Sequence, residues 1–574
     1  MKKSFLFFLL SLYSISCFSQ YKLLLHYEQA SVETKELLQK VKIKKSYPST
    51  NAIEKELNKI YRLFQRNYYS AFSIDTIVQD SFTLTAHLFF GEPLIINDIK
   101  VEGLEENIVK TIKKPASPFG LEDVVNYAEK IVKHLENNGF PFATAGISHF
   151  EKDSSRTNAV LIIEKNNRIL WDSIIVKGNA KISKSFLYGY FNIKPGKIYK
   201  ESTVKQLPDK IQSLTFVEEL QPASVSFGEK EAVLYLYLNK RKINQFDGYI
   251  GIVPENNQSG KTLITGNINL LLNNIMTLGE RIALQWKNPN KLSQNLDMEF
   301  SFPFLFGSPF GLDVDFHLLK KDTSYLNINF LPGIQYFFKG NNYLKFYYHY
   351  NSSRLIAAKH LADNLTLPEN IDYKSHLYGV KIHYQRLDYV FNPRKGFSFS
   401  TAAAIGKRTI IKNNFIPTAL YDSIDLSSLR LASQIDFSCY IPIKKKWTWL
   451  IRLQGAGMYS KNLFENELYR LGGMKTLRGF IEQSIYASSY AIVNTEIRFL
   501  FSKNSFLNAF FDAGWYEQKL EQSYLHDFPF GFGAGINFDT KAGIFSLSYA
   551  LGKQMDNPIQ LKTGTISFGY IAMF

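Results

Sequence analysis

The chain has 574 residues, more than one ordinary domain uses. Aromatic side chains make up 15% of it, with 34 Tyr and 47 Phe, while hydrophobic content is an ordinary 45%. No internal run approaches the ~18 apolar residues of a membrane helix, so spanning helices are excluded. An aromatic-rich chain of this kind fits either a large soluble β-protein or a membrane β-barrel. A barrel has an apolar lipid face, a polar lumen and interfaces ringed by Tyr and Phe. The net charge of +16 is scattered along the chain. Without a basic helix or an RNA-binding motif, it points to a lipid-facing surface and to no nucleic-acid partner.

Lys2 and Lys3, the apolar stretch Phe5–Leu12 and Cys17-Phe18-Ser19 before Gln20 have the three parts of a secretory signal peptide. Residues 1–19 are therefore expected to be removed. Cys17 is an alternative lipid acceptor, but Ser14 stands where such sites carry a leucine-like residue. After cleavage Cys439 is the sole cysteine, which leaves no intramolecular disulfide.

Residues 20–241 mix helical and strand periods. Ile53, Leu57, Ile60 and Phe64 fall on one helical face, as do Val124, Ala128, Ile131 and Leu135. Gly139 follows the second set where a left-handed cap ends a helix. Val204, Leu207, Ile211 and Leu214 repeat the pattern, with Pro208 expected to kink that helix or move its start. An apolar alternation follows each helical region: Thr83–Phe90, Asn158–Ile163 and Ala232–Leu238. Short strands ending at Gly103 and Gly178 precede the second and third helices. The unit is strand, helical region, strand, strand, repeated at roughly 70–75 residues. It is read as one small α+β domain used three times, over 20–93, 94–166 and 167–241.

From 242 to 574 the helical period gives way to alternation. Leu312, Val314, Phe316 and Leu318 alternate with Asp313, Asp315 and His317, and Leu344, Phe346, Tyr348 and Tyr350 with Lys345, Tyr347 and His349. One face is apolar and the other polar or small, as in a wall between lipid and a wet lumen. The length allows about 14 to 18 antiparallel transmembrane strands of ~9–11 residues with their connections. The chain ends on such a strand, with Phe568, Tyr570 and Phe574 on one face.

Motifs of catalysis are missing. There is no G-x-S-x-G elbow and no H-E-x-x-H zinc pair. The phosphate-loop-like SGKT at Ser259–Thr262 has Glu255 where the first glycine belongs, and reads as a hairpin turn. No enzyme activity, cofactor or metal is expected. Three segments stand out instead. RLDYVFNPRKGFSFS places Asp388, Pro393 and Gly396 in a turn. YRLGGMKTLRGF carries Gly472, Gly473, Leu477, Arg478, Gly479 and Phe480. NTEIRFL and FFDAGW supply Glu496 and Asp512 on strands. An arginine in a Gly-rich loop followed by two carboxylates is a charge cluster for a hollow interior. A lone guanidinium there would be costly, and its fork can hold a carboxylate through two hydrogen bonds.

Taken with the three repeats and the alternating half, these segments resemble the BamA/TamA-like outer-membrane assembly-factor superfamily, closest to its TamA-like members. That superfamily joins POTRA domains to a bacterial surface antigen β-barrel. The resemblance implies 16 strands, and an RGF loop folded into the lumen with Arg478 meeting Asp512 chiefly and Glu496 second. Leu477 departs mildly from the family's usual valine or isoleucine. It further implies periplasmic POTRA domains that receive client outer-membrane or exported proteins, and a barrel that inserts or exports them across the outer-membrane lipid bilayer. The terminal strand would serve as a targeting signal, and a periplasmic or inner-membrane accessory protein is an expected partner. Alternatives are a dedicated two-partner-secretion export pore, or a passive solute porin with binding modules.

Overall fold

The computed structural model describes residues 21–153, 156–254, 262–288, 293–363, 365–521, 523–540, 543–555, 559, 561 and 564–573. The signal segment with Cys17, the turn residues Ser259–Lys261 and Phe574 lie outside them. The chain divides into two compact units. One runs to Leu170 and takes in 196–202 and 228–231; the other holds 171–195, 203–227 and everything from 232 onward.

In the first unit, one domain comprises β1 (Lys22–His26), α1 (Val32–Lys40), α2 (Thr50–Arg66), β2 (Ser73–Asp80) and β3 (Thr83–Phe89). The next comprises β4 (Asp98–Glu102), α3 (Glu106–Thr111), α4 (Leu121–Glu136), β5 (Thr144–Asp153) and β6 (Arg156–Glu164). The last strand of each domain lies at the centre of its sheet, in the orders β1-β3-β2 and β4-β6-β5. It runs parallel to the first strand and antiparallel to the second. This explains the alternating runs, because a central strand must present a full apolar row to its helix. Leu84, Ala86 and Leu88 are buried against Ile53, Leu57, Ile60 and Phe64 of α2. Ala159, Leu161 and Ile163 meet Val124, Tyr127, Ile131 and Leu135 of α4. Ser49 caps α2 by accepting from the Ala52 amide, and the Asp123 carboxylate accepts from the Gly120 amide at the start of α4.

The third domain repeats the plan with β7 (Leu170–Lys177), α5 (Lys184–Phe191), α6 (Glu201–Lys205), α7 (Leu207–Ser213), β8 (Val217–Phe227) and β9 (Glu231–Lys240), in the order β7-β9-β8. The helix expected over Val204–Leu214 is two helices. Pro208 sits in the first turn of α7, where an amide has no helical partner to lose. Gly103 and Gly178 close β4 and β7 with φ of +80° and +106°. A Cβ there would lie 2.2 Å from the Ile163 carbonyl oxygen and 2.4 Å from that of Leu238, both on central strands. The glycine is thus a repeated solution to one close approach.

Residues 245–573 form sixteen antiparallel strands that close into a barrel, from Gln245–Pro254 to Thr565–Met573. One strand is broken into Tyr524–Asp527 and Phe530–Asp539, both paired with Phe506–Lys519. Outward positions such as Phe346, Tyr378, Ile405, Ile566 and Phe568 are exposed. Inward, Lys345 is buried between Asp313 and Asp315, and His317 bonds Asp297. The third domain packs on the short turns at one end. The Asn341 amide donates to the Ser213 carbonyl at 3.0 Å, and Gln212 donates to the Asp388 carbonyl. Phe304 inserts edge-on against Phe186 and Tyr190 of α5, with ring centroids 5.5 and 5.6 Å apart. At the other end the longer connections fold over the barrel around Ile371, Ile416, Tyr421, Ile424 and Phe464.

Replacing Gly103 or Gly178 by alanine is expected to destabilise its domain by about 1 kcal/mol or more, since the positive φ and the carbonyl collision both act. Hydrogen exchange of β6 or β9 in the full chain measures it. Unchanged protection would contradict the account.

Candidate functional site

Between the strands Trp447–Tyr459 and Ser489–Leu500 the chain leaves the wall. It makes a short hairpin, Tyr469–Leu471 with Ile485–Ala487, and carries the Gly-rich segment at its tip. Gly472, Gly473 and Gly479 all have positive φ. The tip is tied by Thr476, whose hydroxyl accepts from the Gly472 amide, and by the Gly473 amide donating to the Leu477 carbonyl at 3.0 Å. Leu477 is wholly buried with Leu471, Ile485, Ala487, Ile492 and Tyr516, and Phe480 packs against this group. The apolar cluster fixes the loop and aims the next residue at the wall.

That residue is Arg478. Its Nε and Nη2 donate to the two oxygens of Asp512 at 2.8 and 2.6 Å, and its backbone amide adds a third bond to the same carboxylate at 3.0 Å. Nη1 donates to Glu496 at 2.6 Å. The guanidinium lies over the Phe510 ring, 3.6 Å from its centroid. Asp512 is 0% exposed. A buried carboxylate with three donors and a stacked, forked cation is a fully satisfied ion pair. Close approach makes it possible. A Cβ on Gly531 would lie 2.1 Å from the Arg478 carbonyl oxygen, and one on Gly479 would lie 2.7 Å from the Leu551 carbonyl. The glycine at 531, first of the GFGAG run Gly531–Gly535, therefore makes room for the loop.

The network continues beyond the motif residues. Glu496 also accepts from Arg498 Nε at 2.7 Å, and Arg498 Nη1 donates to Asn392 Oδ1 at 3.1 Å. Asn392 lies in the turn whose amides at Arg394 and Lys395 donate to Asp388 Oδ1, and which ends at Gly396 with φ of +116°. Pro393 is buried in the same turn. The turn motif and the loop motif are thus joined through Arg498 and Asn392, to which the sequence reading assigned no role. Phe568 and Tyr570 lie apart from this site on the final strand, where Tyr570 meets Phe545 at 4.6 Å.

A second cluster at the loop's base left no mark in the sequence reading. Glu467 binds Arg408 through Nε at 3.2 Å and through Nη2, and binds Arg430 through Nη2. Arg408 and Glu467 side chains are completely buried. Asn466 beside it donates to Ser353 Oγ at 2.7 Å and to the Ile371 carbonyl at 2.8 Å, while its own carbonyl accepts from Asn327 at 2.8 Å. The loop is therefore pinned at base and tip, to two separate arcs of the wall.

A plugged barrel of this kind has a family. The model of the Omp85 superfamily domain matches residues 274–570. The chain belongs to the Omp85 superfamily. It is an outer-membrane β-barrel protein, as the BamA/TamA-like reading implies, and the small domains match the POTRA plan. Among solved structures it is similar to CdiB from Escherichia coli, with 15% identity and a TM-score of 0.55 over 95% of this chain and 100% of that one. CdiB from Acinetobacter baumannii matches with 15% identity and a TM-score of 0.53, at the same coverage. BamA from Haemophilus ducreyi lacking POTRA domains 1–3 matches with 16% identity and a TM-score of 0.42, over 84% of this chain and 100% of that one. These identities speak to fold alone. No curated relative matches the sequence.

Arg478→Ala is expected to destabilise the barrel by about 3–5 kcal/mol, because it leaves Asp512 and Glu496 buried without their cation. Paired with Asp512→Ala, it should show a coupling of about 0.5–3 kcal/mol in urea unfolding, where simple additivity would deny the contact. Glu467→Gln leaves Arg408 and Arg430 as adjacent buried cations. It should free the loop base to protease while the tip contact survives; equal protection would show that the base clamp is dispensable.

Proposed function

We propose that this Omp85 protein is an assembly and translocation factor. Its POTRA domains face the periplasm and take up client outer-membrane or exported chains, and its barrel inserts or exports them. The observation that carries this reading is the seam. Among the described residues, two residue pairs, Gln245 with Met573 and Phe246 with Ala572, join the first and last strands. Ten pairs join Gln245–Pro254 to its other neighbour, Thr262–Asn273. Unpaired backbone groups at a sheet edge in lipid are costly, so a client strand that supplies hydrogen bonds there is favoured. Recognition through the backbone tolerates many client sequences, both at the seam and along exposed outer strands such as β2 and β8.

The loop gives a reason to place the traffic at the seam. A lumen holding a segment pinned at base and tip is a poor solute pore, which disfavours a porin. A dedicated export pore shares the plugged barrel, but such pores usually carry two POTRA domains rather than three. No covalent chemistry or cofactor enters this reading. An accessory protein of the periplasm or inner membrane would act through the POTRA domains.

Depleting the protein should lower several outer-membrane proteins together. Loss of a single exported protein would favour the dedicated pore, and loss of solute uptake alone would overturn both. Joining the seam with Gln245→Cys and Met573→Cys should block client insertion under oxidising conditions and restore it on reduction. Insertion that persists through the cross-link would remove the seam from the mechanism.

A further inference from the structure

Helix α7 and the barrel turns beside it enclose a cavity of about 730 Å³. Four cations line it: Lys210 from α7, Lys339 and Lys395 from the turns, and Arg386 from the strand Tyr373–Leu387. Among the described residues, none of the four forms an ion pair with a carboxylate. Of the two acidic side chains at the rim, Asp388 is occupied by the amides of Arg394 and Lys395, and Asp209 is exposed to solvent. Lys210 is the most confined. Its ammonium donates to the Tyr190 and Phe191 carbonyls at 3.4 and 3.2 Å. Burial and the positive charge of Lys339 push it down to about 8. Set against these two carboxylates, the four cations leave the lining with an excess of positive charge.

The position of the cavity says what could match it. Tyr384 and Phe397 also line it, with rings stacked 5.7 Å apart, and Phe397 continues outward to Phe437 at 6.4 Å. Aromatic side chains in this arrangement near the ends of barrel strands form the girdle that sits at lipid-headgroup level. The cations stand on the solvent side of that girdle, where a headgroup phosphate lies.

We propose that this cavity holds the headgroup phosphate of an anionic membrane lipid, between Lys210 and Lys339 and flanked by Arg386 and Lys395. The acyl chains pass outward over Phe397 and Tyr384. A free phosphate ion would meet the charges but leave those rings unused. The lipid becomes a third component of the joint at which Gln212 and Asn341 already bind α7 to the barrel. This goes beyond client handling and does not depend on it.

The test uses the full-length protein reconstituted in vesicles of equal phosphatidylglycerol and phosphatidylcholine, then released gently for native mass spectrometry. Wild type should retain phosphatidylglycerol over phosphatidylcholine about thirtyfold, the scale expected of two lysines beside an anionic headgroup. Lys339→Glu with Lys395→Glu changes two exposed turn residues and should bring the ratio near one. Lys210→Met should lower it without adding negative charge. Equal retention of the two lipids by wild type, or an unchanged ratio in the variants, overturns the proposal. If millimolar inorganic phosphate occupies the site and displaces the lipid, the site is one for a free anion and the lipid assignment fails.

Discussion

A guanidinium inside a barrel constrains everything around it. Arg478 must find carboxylates, must be held still while it does so, and must be carried by a loop that folds back from the wall into the lumen. Each need is met by a different part of the chain. Asp512 and Glu496 supply the charge from adjacent strands, and Phe510 covers the cation's face. Leu477 and the Ile485–Ala487 strand hold the loop, and glycines on both surfaces remove the side chains that would keep them apart. Deleting one partner is far costlier than the net worth of the pair, because the survivor stays buried and unmatched. The residues are therefore mutually dependent.

The same logic holds at the loop's base, with the signs exchanged. At the tip one arginine answers two carboxylates; at the base one carboxylate, Glu467, answers two arginines. The base clamp also draws in Asn466, which reaches the strands Tyr325–Lys339 and Asn342–Leu355. Two clamps on separate arcs do what one cannot. They resist rotation of the loop as well as its withdrawal, and they divide the energetic cost of freeing it between two ends that can open at different times.

The architecture was legible where periodicity is long. Three helix-then-alternation units and a change to period two carry most of the fold, because central strands and lipid-facing walls demand complete apolar rows. Short elements escaped. α1 and α3, of nine and six residues, bury too few side chains to imprint a pattern. Arg478, Glu496 and Asp512 stand out because charges interrupt stretches that are otherwise glycine, aromatic or alternating. Arg408 and Arg430 do not, since an isolated cation on the inner row of a strand is ordinary there. Their partner Glu467 lies 59 and 37 residues away, and nothing in the intervening loops fixes that closure in advance.

One run of hydrogen bonds already described has a mechanical meaning. Gln212 of the third domain holds the Asp388 carbonyl. The same turn presents Asn392 to Arg498, Arg498 holds Glu496, and Glu496 holds Arg478. A soluble domain and a lumenal plug thus share one short load path through the barrel rim. Coupling of this kind is reciprocal. Whatever shifts the third domain on its turn changes the free energy of seating the plug, and seating the plug changes the third domain's grip by the same amount.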